Sequence, residues 1–208
     1  MSEAARVDEA MDGNVLILTI NYPQRKNAIA PAVRAALEDA IERAHLNTAV
    51  RAIVITGAGG TFCAGGDISS MDVGDALAGL DRMRRTHRLV RLMAKGAKPL
   101  VAAVEGWAAG AGMAVACACD TIVAAEDARF VAGFGKIGLM ADMGLPYFLP
   151  RRVNVGRARR ILFYHEVTSA IEGEQIGLVD FLAPPGKALE VALEKARLLA
   201  AEAAGPIE

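Results

Sequence analysis

The chain has 208 residues, 53% of them apolar and 23% charged, with a formal net charge of −1. That balance fits a globular chain long enough to bury a sizeable core and excludes a wholly disordered one. It also argues against nucleic acid as a partner, because no basic block occurs, and against a membrane span, because no window nears ~18 uninterrupted apolar residues.

The first residues, Met1 to Glu9, contain no apolar signal core. The three cysteines, Cys63, Cys117 and Cys119, form an odd set whose spacing fits no usual zinc site. No metal is expected, and a reducing cytoplasm is the expected compartment. Val15–Ile20 predicts a strand, followed by a polar loop, Asn21 to Asn27. Pro31 opens a helix running to about Arg43, with proline at the first helical position. Ala52–Thr56 is short and wholly apolar, as in a parallel or doubly covered sheet. Asp75 to about Lys95 predicts a long helix that ends before Pro99. Within it, Leu80, Met83, His87, Val90 and Ala94 share a three-four spacing, which predicts an apolar face carrying His87. Leu100–Glu105 is a strand, Gly110–Cys117 a helix of small residues, and Thr121–Ala125 a further strand. Helices are expected at Asn154–Phe163, Ser169–Ile176 and Lys187–Ala203, with a short strand, Leu178–Ala183, between the last two. Strands alternating with helices over one domain, residues 1–208, make an α/β protein built of repeated ββα or βαβ units.

Two small-residue segments follow apolar strands. Thr61-Phe-Cys-Ala-Gly-Gly-Asp-Ile68 comes after Gly57-Ala-Gly-Gly60, and Trp107-Ala-Ala-Gly-Ala-Gly-Met113 comes after Leu100–Glu105. Such loops let a ligand approach the backbone closely. Two N–H groups from two loops are what an oxyanion hole requires.

In order and spacing, Ile55-Thr-Gly57, Phe62-Cys-Ala-Gly-Gly-Asp67, Lys98-Pro-Leu-Val-Ala-Ala-Val-Glu-Gly-Trp-Ala-Ala-Gly110 and Asp120 resemble the crotonase family, the enoyl-CoA hydratase/isomerase superfamily. The resemblance spans the chain from the Asn21–Ala28 loop to Gly177-Leu-Val-Asp180. It implies a crotonase-like spiral of ββα units, assembled as homotrimers or dimers of trimers. It implies an acyl-coenzyme A thioester as substrate, with coenzyme A entering as part of it and no permanently bound cofactor. The family's oxyanion donors correspond to the N–H groups of Gly66, which can adopt angles closed to other residues, and of Ala111, at the start of a small-residue helix where unpaired N–H groups and the dipole favour negative charge. Arg25 and Lys26 match the loop that contacts the nucleotide, and Ala64, Asp67 and Ile68 match the pantetheine and adenine path. Relatives usually continue into helices that cover the acyl pocket. Here the sequence stops at Glu208, so that lid is expected to be missing or cut after 208.

The chain departs from the family's hydratases. One water-activating glutamate lies three residues after the second oxyanion donor, where Ala114 stands. The other lies four residues after the phenylalanine of an Ala-x-Phe segment, which Ala128-Arg-Phe130 puts at Phe134. Neither can transfer a proton. Gly138-Leu-Met-Ala-Asp142-Met-Gly144 matches the segment carrying the catalytic aspartate of phenylacetate-pathway isomerases and the nucleophile of 4-chlorobenzoyl-CoA dehalogenases. Apolar neighbours would raise the pKa of Asp142 toward the range of a general base; alternatively it caps a helix beginning near Gly144. His87 matches the dehalogenases' histidine base. One acid suits moving one proton between carbons, so enoyl-CoA double-bond isomerisation is expected. The alternatives are a hydratase with atypical acid/base residues, an aromatic acyl-CoA dehalogenase or hydrolase, and a non-catalytic acyl-CoA-binding protein. Cys63 reads as a small packing residue, Asp120 as structural, and Glu105 as a holder of loop geometry that could serve as an acid.

Overall fold

The computed structural model describes residues 4–70 and 76–202. The expected start of the long helix at Asp75 and the chain end after residue 202 lie outside these. β1 (Arg6–Asp12) runs antiparallel to β2 (Val15–Asn21). β3 (Ala52–Gly57), β4 (Leu100–Val104), β6 (Thr121–Ala125) and β9 (Phe181–Ala183) then add in parallel, giving a sheet ordered β1-β2-β3-β4-β6-β9. A second sheet joins β5 (Trp107–Ala109), β7 (Arg129–Val131) and β8 (Thr168–Ser169). Isolated parallel bridges, Ile29 to Gly66 and Cys63 to Ala108, carry the same layer back through the earlier units.

The spiral follows from this alternation. Each unit lays a strand in the large sheet, touches the second layer, and leaves through a helix: α1 (Pro31–Leu46) after Ile29, α2 (Ala76–Lys95) after Gly66, α3 (Ala111–Ala118) after β5. The ββα architecture expected from the sequence is therefore present. β3 and β4 are almost wholly buried, as their continuous apolar runs require of strands covered on both faces. α7 (Ala188–Glu202) crosses the large sheet on Ala188, Ala192, Ala196 and Ala200, an i, i+4 stripe of small buried side chains that lets helix and strands approach closely. α4 (Leu145–Val153) packs on α3, α5 (Val155–Tyr164) follows it, and α6 (Ala170–Gln175) leads toward β9.

The three-four stripe read along α2 is not its buried face. Leu80, His87 and Ala94 are exposed, whereas Thr86, Leu89 and Met93 are buried. The first turns of α2 form a wall of a cleft, so hydrophobic spacing there does not mark the core.

Candidate active site

The loop between β2 and α1 is organised by Asn27, whose side chain is fully buried. Its Oδ1 accepts from the Tyr22 N–H, and its Nδ2 donates to the carbonyls of Ala58 (2.7 Å) and Thr61 (2.6 Å). That one amide ties this loop to the turn after β3. Lys26 then accepts from the Ala64 N–H through its carbonyl, at 2.9 Å.

Cys63 spends both backbone groups on β5: its N–H donates to Trp107, and its carbonyl accepts from Ala109, each at 2.9 Å. Ala64 turns the other way, toward Lys26. At Gly65 the chain takes φ +117°, open in practice only to glycine. Gly65 and Asp67 then both bond Ile29, through the Gly65 carbonyl (2.7 Å) and the Asp67 N–H (3.4 Å). In a parallel ladder the residue between two such partners points its own groups to the opposite side. The Gly66 N–H is thus turned away from Ile29, toward the junction of β5 and α3. The special backbone angle expected at Gly66 falls instead on its neighbour, and there it redirects the Gly66 N–H.

Ala111 begins α3 after Gly110, which holds φ +50° and ψ −116°. As the first residue of a helix it has no partner one turn back, because the Trp107 carbonyl is taken by Cys63. Among the described residues, neither Gly66 N–H nor Ala111 N–H has a protein acceptor. The two loops nearly touch: a Cβ added to Gly65 would lie 3.2 Å from the Ala109 carbonyl oxygen and 3.9 Å from the Ala111 nitrogen. α3 can come so close because Gly112 faces Cys63; a Cβ there would stand 2.3 Å from the Cys63 carbonyl oxygen. Cys63 itself is a packing residue, its buried thiol pushed up to about 12.

Gly66 and Ala111 line a cleft of about 410 Å³. Ala64, Asp67 and Ile68 line it too, as does Phe134, while the fully buried Ala114 does not. Arg25 and Lys26 are exposed and lie outside its lining. Asp67 accepts from the backbone N–H and hydroxyl of Ser69, the latter at 2.6 Å, so its carboxylate shapes the turn after Gly66.

Asp142 lines the same cleft between Leu139 and Met143. Burial pushes its carboxyl above the usual range, against the pull of Arg82, a hydrogen bond from its own backbone, and His87. It is not a helix cap: α4 begins after Gly144 with no side-chain cap, and only the Asp142 carbonyl accepts from Leu145. Met143, directly after it, is buried with φ +50°, an angle a large side chain adopts only where its surroundings dictate it. His87 is exposed and outside the cleft lining, correcting its expected apolar setting. Its turn of α2 nevertheless approaches the residue that precedes α4, since a Cβ added to Gly144 would stand 2.9 Å from the Val90 side chain.

Glu105 is engaged elsewhere. Its carboxylate accepts from the N–H groups of Gly186 (3.1 Å) and Ala188 (2.8 Å), fixing the start of α7. Asp120 accepts from the Leu100 N–H, in keeping with a structural role. The sequence reading missed the charged wall of α2, where Asp81, Arg82 and Arg85 line the cleft, and Arg34 on α1. The available signal was the spacing of residues 78, 81, 82, 85 and 86, one helical face that is polar rather than apolar. Among the described residues, no cluster of three or more His, Cys, Asp or Glu could hold a metal, and no helix is long and apolar enough to cross a membrane.

This geometry has close counterparts. The family model for enoyl-CoA hydratase/isomerase matches residues 10–206. A putative enoyl-CoA hydratase of Thermus thermophilus is 35% identical over 195 residues, 92% of this chain and 75% of that protein. The 1,2-epoxyphenylacetyl-CoA isomerase of Escherichia coli is 33% identical over 196 residues, again 92% and 75%. The crystal structure of an enoyl-CoA hydratase from Polaromonas sp. JS666 superposes with a TM-score of 0.90 at 36% identity, covering 94% of this chain and 77% of that one. The chain belongs to the enoyl-CoA hydratase/isomerase family and is an enzyme of acyl-CoA thioesters.

Proposed function

We propose that the protein isomerises the double bond of an enoyl-CoA. The N–H groups of Gly66 and Ala111 hold the thioester oxygen as it becomes an enolate. Asp142 takes a proton from the carbon next to the conjugated system and returns it to another carbon, so the double bond moves and nothing is added or lost. The observation that carries this reading is a desolvated carboxylate, Asp142, in the same cleft as two N–H groups without protein acceptors. Burial brings an acid toward a base's working range, and aligned N–H donors stabilise the charge that develops. Asp81 is held by Arg85, and Asp67 by Ser69, which leaves Asp142 as the acid suited to proton transfer. Ala114 and Phe134, at the positions of the hydratase glutamates, offer no second acid. An isomerase among the relatives agrees with one-acid chemistry.

Coenzyme A is expected to run past Ala64, Asp67 and Ile68, with Arg25 and Lys26 reaching its phosphates from outside the cleft. Exposed Phe163, Tyr164 and Val167 around the end of α5 support self-association, for which trimers are expected. The test is a panel of straight-chain 3-enoyl-, 2-enoyl- and aryl-CoA thioesters in D2O, read by mass spectrometry. Isomerisation gives a product of unchanged formula with exchanged hydrogens; addition of water to a 2-enoyl-CoA would instead establish a hydratase. A second reading, hydrolysis or dehalogenation of an aryl-CoA with Asp142 as nucleophile, draws on the pull of His87 on that carboxylate. It requires release of halide or free coenzyme A. Binding without turnover across the whole panel would sink every enzymatic reading of this site.

A further inference from the structure

The cleft face of α2 presents Ala78, Asp81, Arg82, Arg85 and Thr86. Its charges are not equivalent. Arg85 donates from Nε to Asp81 at 2.8 Å, so that pair neutralises itself. Arg34, reaching in from α1, stands 4.0 Å from the buried Glu38. Arg82 is half-buried and, among the described residues, has no hydrogen-bond or ion-pair partner. The same cleft holds Asp142, whose carboxylate takes a hydrogen bond from its own backbone but, among the described residues, has no side-chain hydrogen-bond or ion-pair partner.

We infer that Arg82 is a positioning residue for proton transfer: from its wall of the cleft, its guanidinium keeps the Asp142 carboxyl in the ionised form that can accept a proton. The inference rests on the reading of Asp142 as the base. Burial alone favours the neutral acid, which is useless as a base. A direct, bidentate ion pair would err the other way, occupying the lone pairs and weakening the base. A charge in the same cleft but outside bonding distance supplies Coulomb attraction while leaving the carboxylate oxygens to the substrate. Arginine suits this task because it stays charged at any working pH.

The other groups facing Asp142 do not supply this charge. On α2, Asp81 and Arg85 cancel, and His87 is exposed and lies outside the cleft lining. From α1, Arg34 is directed at Glu38; from the loop after β3, Asp67 is an anion occupied with Ser69.

The test uses Arg82→Gln and Arg82→Lys in the full chain. The titration of Asp142 is followed without substrate by carboxyl-carbon NMR, assigned by difference against Asp142→Asn. In parallel, kcat and KM are measured across pH on whichever thioester the panel identifies. Arg82→Gln is expected to move the Asp142 titration to higher pH. It should cost roughly tenfold in kcat/KM on the acid limb, with the alkaline plateau and KM nearly unchanged. Arg82→Lys should restore most of the loss. An unmoved titration overturns the proposal. So does a pH-independent rise in KM for every thioester, which would make Arg82 a binding residue for the substrate's phosphates or an acyl carboxylate. If Asp142→Asn keeps full turnover, the base reading fails, while the NMR titration still decides whether Arg82 governs that carboxyl.

Discussion

Around Gly66 and Ala111 the cleft is made of backbone; around Arg82 and Asp142 it is made of side chains. The backbone part belongs to the fold itself. Cys63, Gly65 and Asp67 are pinned to β5 and Ile29 by ladder hydrogen bonds, and Gly112 lets α3 close on Cys63. Two successive ββα units leave the second layer at equivalent points, which sets two N–H groups side by side. The opposite wall is assembled from the exposed side of α2 and an irregular stretch before α4, where Ile137, Leu139 and Met140 are exposed. In the proposed reaction, the first part stabilises the enolate whatever the acyl group. The other can change with a few substitutions. A fold divided in this way keeps the substrate class and varies the reaction.

The division makes its sharpest prediction at Asp142. Asp142→Asn should lower kcat by about 10²–10⁴, the range for losing a positioned general base, with little change in KM. Binding of a thioester that cannot isomerise, measured by calorimetry, should persist. If both binding and turnover vanish, the two walls are not separable.

On the backbone side, Gly65→Ala meets a φ of +117° and a carbonyl oxygen 3.2 Å away. The loop must shift, and the Gly66 N–H shifts with it. Misplacing one oxyanion donor typically costs about 10²–10³ in kcat. The substitution leaves Asp142 untouched, so the pH profile of the residual activity should keep its shape. A changed profile would mean that the loop also positions the acid. The sign of that profile follows from Asp142: burial raises its pKa, and a base works ionised, so kcat/KM should rise with pH through the Asp142 titration and then level off.

The two parts also differed in how far the sequence disclosed them. β3, β4 and β6 announce themselves as unbroken apolar runs, and the small residues at 63–66 and 108–112 mark the place where backbones meet. β1 went unread because its charged residues obscure any period-two pattern. Only its full backbone pairing with β2, reinforced by contacts such as Asp8 with Asn21 and Arg43 with Glu9, makes it a strand. β5 and β7 are three residues each and are strands only because a neighbouring layer exists to pair them. The α2 wall was misread for a related reason. Periodicity reports the face a helix buries, and the first turns of α2 bury little. Residues 78, 81, 82, 85 and 86 form a face that gains meaning only once Asp142 is known to share its cleft. Asp142 was picked out by the resemblance of residues 138–144 to a family segment; Ala141 and Met143 beside it agree with the burial that raises its pKa, whereas exposed Leu139 and Met140 show that apolar neighbours alone do not bury a carboxylate.

The smallest expected effect is on stability, and it separates the two parts by sign. The folded-state pKa of Asp142 is raised by burial, so the folded chain binds that proton more tightly than the unfolded one. Its contribution to stability is fully present below the unfolded pKa of about 4 and is lost as pH rises through the folded value. Glu38, buried behind Arg34 with one oxygen near that guanidinium but lacking a hydrogen bond, is raised in the same sense by burial. At neutral pH both carboxylates therefore weaken the fold relative to their neutral amides. Asp142→Asn, and separately Glu38→Gln, should raise the thermal midpoint by roughly 2–4 °C if each relieves about 1 kcal/mol. The gain should fade in acid, where the native carboxyls are neutral too. Gly65→Ala should instead lower the midpoint at every pH, because its strain is steric and carries no proton. Calorimetric melts of the three variants at acid and neutral pH would show whether the acid side of the cleft holds a charge against the stability of the fold, as a site kept for chemistry does.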